Sequence, residues 1–413
     1  VKLRPSQVEA ISFALHGGNN VALSCPTASG KSWIAHEISS ATGRTAIITL
    51  SNVLVKQFLN SFPIPYVIGK SHYETTRDYL QALEDSAHAN VVLFNPASYF
   101  NYVKNKLGDP FDCAIIDEAD SCLSLFALQM GSTVDYNGLG AEQVAESIFR
   151  AFGAEEASRF YNSHNEYWWE LTEVTKGKKV ERKIVYRKTC LSQYFRSNYL
   201  PKKVVALSGT LFPSHCKELF GGQYEHKEFP SPIPVERRPI ILMDHPFDSS
   251  PDGLVNTLAA CLKRWPDERP CLAHCTYSDT KRIKREWEVS GYDSKETKLE
   301  AFDALEGSDD ALFAAGATTG LDLVGDKARL NVILRGAFAN LGSMYVRKRK
   351  ALPGGEQWYT EEVLRQAVQA SGRVCRTPDD MGTTVIADSR LVAMIRANLN
   401  NLPSYFVEAL TNA

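Results

Sequence analysis

Gly30-Lys31-Ser32 closes the stretch Cys25-Pro26-Thr27-Ala28-Ser29-Gly30-Lys31-Ser32, and these residue types at this spacing suit the grip of a polyphosphate. Loop N–H groups and the positive end of a following helix point at an anion. Gly30 permits close backbone approach, Lys31 is placed to reach outer phosphates, and the Ser32 hydroxyl can bind Mg²⁺. The pattern is G-x-x-x-x-G-K-[ST] with Cys25 in place of the first glycine. A lone Gly-Lys-Ser also makes an ordinary surface turn, so the rest of the chain must decide.

Further along stands Cys113-Ala114-Ile115-Ile116-Asp117-Glu118-Ala119-Asp120, an apolar run ending in adjacent acids. Acids at the carboxyl edge of a parallel sheet suit a Mg²⁺ site: Asp117 holds the metal through water and Glu118 polarises an attacking water. Ser208-Gly209-Thr210 ends another apolar run, Val204 to Leu207, where small hydroxylated residues can link a nucleotide site to a neighbouring surface or form a plain turn. Thr318-Thr319-Gly320-Leu321-Asp322 offers a close turn at Gly320 and an acid, Asp322, for a ribose hydroxyl or an arginine. In Gln369-Ala370-Ser371-Gly372-Arg373-Val374-Cys375-Arg376 the two arginines lie three apart, a helical turn, so both can face one transferring phosphoryl group. Gln7 has an amide that can read the N6/N7 edge of adenine, or it simply caps a helix.

The elements that must carry these residues alternate. Val21 to Leu23 precedes the loop as a strand, and a helix runs from Lys31 towards Gly43. Thr45 to Leu50 and Asn90 to Asn95 read as strands, and Ser51-Asn52 caps a helix over Val53 to Asn60. Residues 121–200 read differently, as a helical insertion with helices over Ala141–Phe152 and Ala157–Leu171. There Tyr161, Tyr167, Trp168 and Trp169 sit near a basic run, Lys176 to Lys188. Rings beside cations suit single-stranded nucleic acid, and equally a core beside a solvated face. Phe229-Pro230-Ser231-Pro232-Ile233-Pro234 marks a linker, after which strands at Ile240–Met243, Pro270–Thr276, Ala311–Ala315, Leu330–Leu334 and Thr383–Ala387 restart the alternation. Cys271, His274 and Cys275 fall in one of those strands and are expected to be core.

The 413 residues suffice for more than one core, and a net charge of −2 gives no global attraction to nucleic acid, leaving that to local patches. No apolar run approaches the ~20 residues that span a bilayer. An odd count of 9 cysteines at irregular spacing points to reduced thiols in an intracellular, non-secreted protein.

In order and spacing the motifs resemble those of superfamily 2 helicases: Gln7; Cys25 to Ser32; Leu50 to Gln57; Asp117 to Asp120; Ser208 to Thr210; Gly320 to Asp322; Gln369 to Arg376. Within that superfamily the chain looks most like the XPD/DinG branch. Ser208-Gly209-Thr210-Leu211-Phe212-Pro213, Gly320 to Asp326, Asn340-Leu341-Gly342, Trp358-Tyr359 and Asp379 to Arg390 carry that likeness.

The resemblance implies two RecA-like α/β lobes: lobe 1 over 1–120 and 201–230, a reduced arch-like insertion over 121–200, a linker over 231–239, and lobe 2 over 240–413. It implies ATP and Mg²⁺ held by Gln7, Cys25, Pro26, Thr27, Ala28, Ser29, Gly30, Lys31, Ser32, Gly320 and Asp322, with Ser32 and Asp117 at the metal. It further implies catalysis by Glu118, Gln369, Arg373 and Arg376, and coupling through Ser208, Gly209 and Thr210. The expected activity is ATP-driven movement on single-stranded or forked DNA, 5′→3′ by analogy, in the cytoplasm and away from membranes. An RNA helicase or an ATP-gated binding module are the alternatives. Cys113 is the one cysteine between the phosphate loop and Asp117, too few for a cluster needing four, so no iron–sulfur centre is expected. The Asp-Glu-Ala-Asp form, where this branch more often ends in His, is a second departure. No exonuclease domain is expected ahead of Gln7.

Overall fold

The computed structural model describes residues 2–163, 165–176, 179–244, 248–268, 270–286, 311–315 and 328–412. The chain divides into two compact units. One comprises Val1–Leu23, Lys31–Lys227 and Asn340–Tyr359; the other comprises Ser24–Gly30, Glu228–Ala339 and Thr360–Ala413.

In chain order the first ten strands are β1 (Asn20–Ser24), β2 (Thr45–Ile48), β3 (Tyr66–Val67), β4 (Val91–Phe94), β5 (Cys113–Asp117), β6 (Ser132–Asp135), β7 (Tyr167–Lys176), β8 (Lys179–Lys188), β9 (Lys203–Ser208) and β10 (Glu225–Glu228). Seven of them form a sheet in the order β10-β1-β9-β5-β2-β4-β3. Pairing is parallel from β3 through β4, β2 and β5 to β9. Its central strands are apolar and buried, as parallel strands covered on both faces must be. The connecting helices start where short polar side chains accept from the first turn. Ser51 accepts from the Leu54 N–H, and Asn95 accepts from the Ser98 N–H at 2.8 Å.

The second unit carries β11 (Ile240–Leu242), β12 (Cys271–Cys275), β13 (Ala311–Ala315), β14 (Leu330–Ile333), β15 (Thr383–Ile386) and β16 (Leu410–Asn412). They lie in the order β13-β12-β14-β15-β11-β16, with parallel pairings throughout. The fold is thus two RecA-like parallel sheets flanked by helices. His274 is buried in β12, its Nε2 2.8 Å from Asn331 Oδ1, and no metal-holding group of side chains occurs among the described residues. Among the described residues no helix is long and apolar enough to cross a membrane.

The insertion departs from its expected local structure. The helix expected over Ala157–Leu171 ends at Asn162, and Tyr167–Lys176 is a strand paired antiparallel with Lys179–Lys188. Aromatic rings from Tyr161 to Trp169 fit a helical period on paper. Tyr167-Trp168-Trp169 nevertheless has the strand preference of bulky rings on a pleated surface. Alternation then places Tyr167, Ile184, Tyr186 and Lys188 on one buried face, packed on the helices Ala141–Phe152 and Ala154–Asn162. Glu156 and Lys188 are both fully buried there, 2.5 Å apart, with Glu166 3.2 Å from the same ammonium.

Lobe 2 was expected to run unbroken over 240–413, yet Asn340–Tyr359 packs with the first unit. Arg349 there is ion-paired with Glu218 and lies over the Trp358 ring at 5.3 Å, and Val346 of the same helix is buried.

Candidate functional site

In the first unit Lys31 opens the helix Lys31–Ala41, Asp117 ends β5, and Ser208 ends the neighbouring β9, so the parallel sheet delivers all three to its carboxyl edge. Lys31 Nζ lies 3.1 Å from Glu118 Oε1. Ser208 Oγ donates to Asp120 Oδ1 at 2.8 Å and reaches Glu118 Oε2 at 3.4 Å; the Thr210 hydroxyl also donates to Asp120. Asp117, Glu118, Asp120, Lys31, Ser208 and Thr210 therefore form one polar cluster. Ser32 follows Lys31 in the first turn of the same helix.

The electrostatics of this cluster are unbalanced. Burial, and then the Glu118 carboxylate beside it, push Asp117 up to about 7, with Lys31 pulling the other way. A carboxylate whose ionised form is this costly favours a cation, and one or two carboxylates plus a serine hydroxyl are what proteins contribute to a Mg²⁺ that takes its remaining ligands from phosphates and water. Glu118 has φ 51°, the left-handed region. A non-glycine residue held there costs about 1–3 kcal/mol, and such strain gathers at working sites.

The loop ahead of Lys31 shows the same signature. Gly30 has φ 78° and Ala28 has φ 65°. Gly30 was legible as a position needing glycine; the equivalent demand at Ala28 was not, because alanine gives no sequence signal of positive φ. Cys25 is buried, and Ser29 N–H donates to Pro26 O at 3.2 Å, tightening the turn. Gln7 is buried at the start of the helix Pro5–His16, where its Oε1 accepts from the Arg4 N–H at 2.8 Å. That is a helix cap.

In the second unit Gln369 lies on the helix Gly355–Ser371, accepting from Arg365 at 3.0 Å. That helix ends at Ser371, so Arg373 and Arg376 are not a helical turn apart as their spacing predicted. Gly372 breaks the helix, and Asp380 fixes the next turn by accepting from the Arg376 and Thr377 N–H groups, both at 2.7 Å. Arg373 is buried and Arg376 partly exposed. A Cβ at Gly372 would come 2.8 Å from Thr27 Oγ1, so glycine is what lets this segment lie against the phosphate loop. Gly320 and Asp322 lie outside the described residues.

Asp120 was not singled out from the sequence as a working residue. Its signal was available: it sits one turn after Asp117, and two hydroxylated residues end the neighbouring strand.

Residues 256–407 match the Helicase C-terminal domain family. An XPD helicase structure superposes with a TM-score of 0.62 at 14% identity, covering 100% of both chains. Xpd4 of S. tokodaii superposes with a TM-score of 0.60 at 12% identity over 99% of this chain and 100% of that one. The chain has the fold of the XPD helicases. Dbp5 of S. cerevisiae, in a structure bound to RNA and ADP-BeF3, shares the helicase fold more loosely, with a TM-score of 0.50 at 13% identity over 100% of this chain and 94% of that one. A search of the curated proteins by sequence finds no match.

Proposed function

We propose that this helicase-fold protein hydrolyses ATP to move along single-stranded DNA and separate a duplex, in the 5′→3′ direction. The observation that carries the reading is the cluster in which Lys31, 3.1 Å from Glu118, meets a half-buried Asp117 and the Ser208–Asp120–Thr210 bonds. One network holding a lysine, three carboxylates and two hydroxyls supports phosphate binding, metal holding, water activation and coupling at this place. Mg²⁺, held through Asp117 and Ser32, neutralises phosphate charge when bound. A triphosphate competes for Lys31 and draws it off Glu118; the freed carboxylate is then a base for the attacking water. Ser208 and Thr210 report the state of Asp120 to the helix Pro213–Phe220 that follows them. Gln369, Arg373 and Arg376 act on the outer phosphate as arginine-finger and sensing groups, and Gln7 reads the adenine. Gly320 and Asp322 complete the nucleotide contacts.

The Asp-Glu-Ala-Asp sequence favours RNA as the alternative track, and Dbp5, whose structure holds RNA, shares the fold. Hydrolysis stimulated by single-stranded DNA against RNA at low salt separates the two. Strand displacement on duplexes with a 5′ or a 3′ tail reads direction, with Lys31→Ala as control. Arg376→Ala is expected to lower turnover ~10³-fold with nucleotide binding kept. Turnover at the parental rate would remove Arg376 from the mechanism, and hydrolysis unresponsive to any nucleic acid would leave only an ATP-gated binding module.

A further inference from the structure

Strand β14 of the second unit breaks its own pattern. Leu330, Val332 and Ile333 are the apolar residues expected of a parallel strand covered on both faces, yet Asn331 stands among them, fully buried. Asparagine is a poor strand former, and its amide is costly to bury without partners. Here both ends of the amide are used. Nδ2 donates to Ala370 O at 3.0 Å and to Thr384 Oγ1 at 3.1 Å, and Oδ1 lies 2.8 Å from His274 Nε2. A backbone carbonyl can only accept, so Ala370 O fixes which end of the amide is the N–H₂. His274 is then the donor to Oδ1. Thr384 lies opposite Asn331 in the β14–β15 pairing, and its hydroxyl donates onward to Ser371 O at 3.2 Å. His274, Asn331 and Thr384 thus join three neighbouring strands, β12, β14 and β15, and all three side chains are buried.

The carbonyls at the far end of this network belong to the last two residues of the helix Gly355–Ser371. A helix leaves its final carbonyls without partners inside the helix, and here the sheet supplies them. Ala370 O accepts a second bond, from the Arg373 N–H at 3.2 Å, so one oxygen joins the Asn331 amide to the backbone of Arg373. Gln369 immediately precedes the two carbonyls. An apolar side chain at 331 would fill the sheet equally well, but apolar packing is non-directional and lets a helix slide. Two directed hydrogen bonds to its terminal carbonyls fix where it ends.

We propose that Asn331 and Thr384 are positioning residues for Arg373: they pin the end of the helix to the sheet and so fix where the arginine stands. Both act through the carbonyls of Ala370 and Ser371 and not on the nucleotide itself. This rests on the ATP-hydrolysis reading, in which Arg373 acts on the outer phosphate, and adds what holds it in place.

The test is steady-state ATP hydrolysis by the full chain and the variants Thr384→Val, Thr384→Ser, Asn331→Leu and Arg373→Ala, each checked for folding by thermal melting. Thr384→Val keeps the branched shape and removes the hydroxyl. It is expected to lower kcat about tenfold with KM for ATP unchanged, and Thr384→Ser to restore kcat. Asn331→Leu removes both amide donors and is expected to lower kcat about 10²-fold, the cost of misplacing a working group by about 1 Å. Should Asn331→Leu not fold, Thr384→Val carries the test. The deciding measurement is Thr384→Val in the Arg373→Ala background. A residue that acts through Arg373 has nothing left to position there, so kcat should fall no further. A further tenfold fall in the double variant overturns the proposal, as does parental kcat in Thr384→Val while Arg373→Ala collapses; both leave the hydrolysis reading standing. Parental turnover in Arg373→Ala removes that arginine from the mechanism and the proposal with it, and a parent that hydrolyses no ATP overturns both readings.

Discussion

Two ionic clusters lie in the same unit of this protein, one half-buried and one buried, and they are built on opposite principles. At the edge of the first sheet, Asp117, Glu118 and Asp120 crowd round Lys31, and Asp117 is driven up to about 7. In the insertion, Glu156 and Glu166 meet Lys188 at 2.5 and 3.2 Å, Arg159 lies 3.6 Å from Glu156, and the Tyr167 hydroxyl donates to Glu156 at 2.7 Å. The second cluster is matched in sign, two acids against two cations. In the first, burial and a neighbouring carboxylate raise the cost of ionising Asp117, and the backbone is strained at Glu118. A matched cluster holds a fold together, whereas a carboxylate that is costly to ionise is one a bound cation would favour. The cost of ionisation at Asp117 distinguishes the candidate site from the structural network.

The contrast can be broken most forcefully at Glu118. Glu118→Gln is expected to lower kcat by about 10²–10⁴-fold, as loss of a general base does, while the protein stays folded. Steady-state ATPase assays beside thermal melting check it. In the matched cluster the effect should fall on stability instead. Lys188→Ala strands Glu156 as a buried charge short of its main partner, and is expected to cost about 3–5 kcal/mol in urea unfolding with turnover per folded molecule retained. If Lys188→Ala depressed turnover of the folded protein as deeply as Glu118→Gln, the division between the clusters would fail.

Asp117 sharpens the comparison through pH. Its folded value, about 7, stands above the ordinary 3.8, so the folded state keeps a proton that the unfolded chain has lost. Stability of the nucleotide-free protein therefore falls as pH rises from about 4 to about 7 on account of this group. Asp117→Asn should raise the melting temperature at pH 8, leave it unchanged near pH 4, and abolish the stabilisation that Mg²⁺ and ATP give the parent. Equal melting shifts at both pH values would show that Asp117 is not held protonated. The smallest effect is expected at Ser208→Ala, which removes one of the two hydroxyl donors to Asp120. Melting should register a loss of about 1.5 kcal/mol, the low end for a hydrogen bond to a charged group.

Much of the fold was legible because parallel strands buried on both faces read as continuous apolar runs, and those runs at Ala46, Ile115, Val205, Ala273 and Val385 became sheet centres. Lys31, Asp117, Glu118, Ser208 and Thr210 were legible as chemistry because each ends a strand or begins a helix at a readable break. The hairpin was not legible. Tyr161 to Leu171 satisfies a period of 3.6 as well as one of 2, and only the presence of Lys179–Lys188 as a pairing partner settles which applies. Nor was the place of Arg349, whose partner Glu218 lies 131 residues away in sequence.

By itself, then, the sequence determined the alternation of strands and helices and the residues able to grip a phosphate, since both rest on local patterns a few residues long. Tertiary structure decided which carboxylates are overcrowded, that Arg373 and Arg376 follow a broken helix, and that Asn340–Tyr359 lies on the first unit. Desolvation, ion pairing and strand register depend on groups brought together from distant parts of the chain, and no local pattern records them.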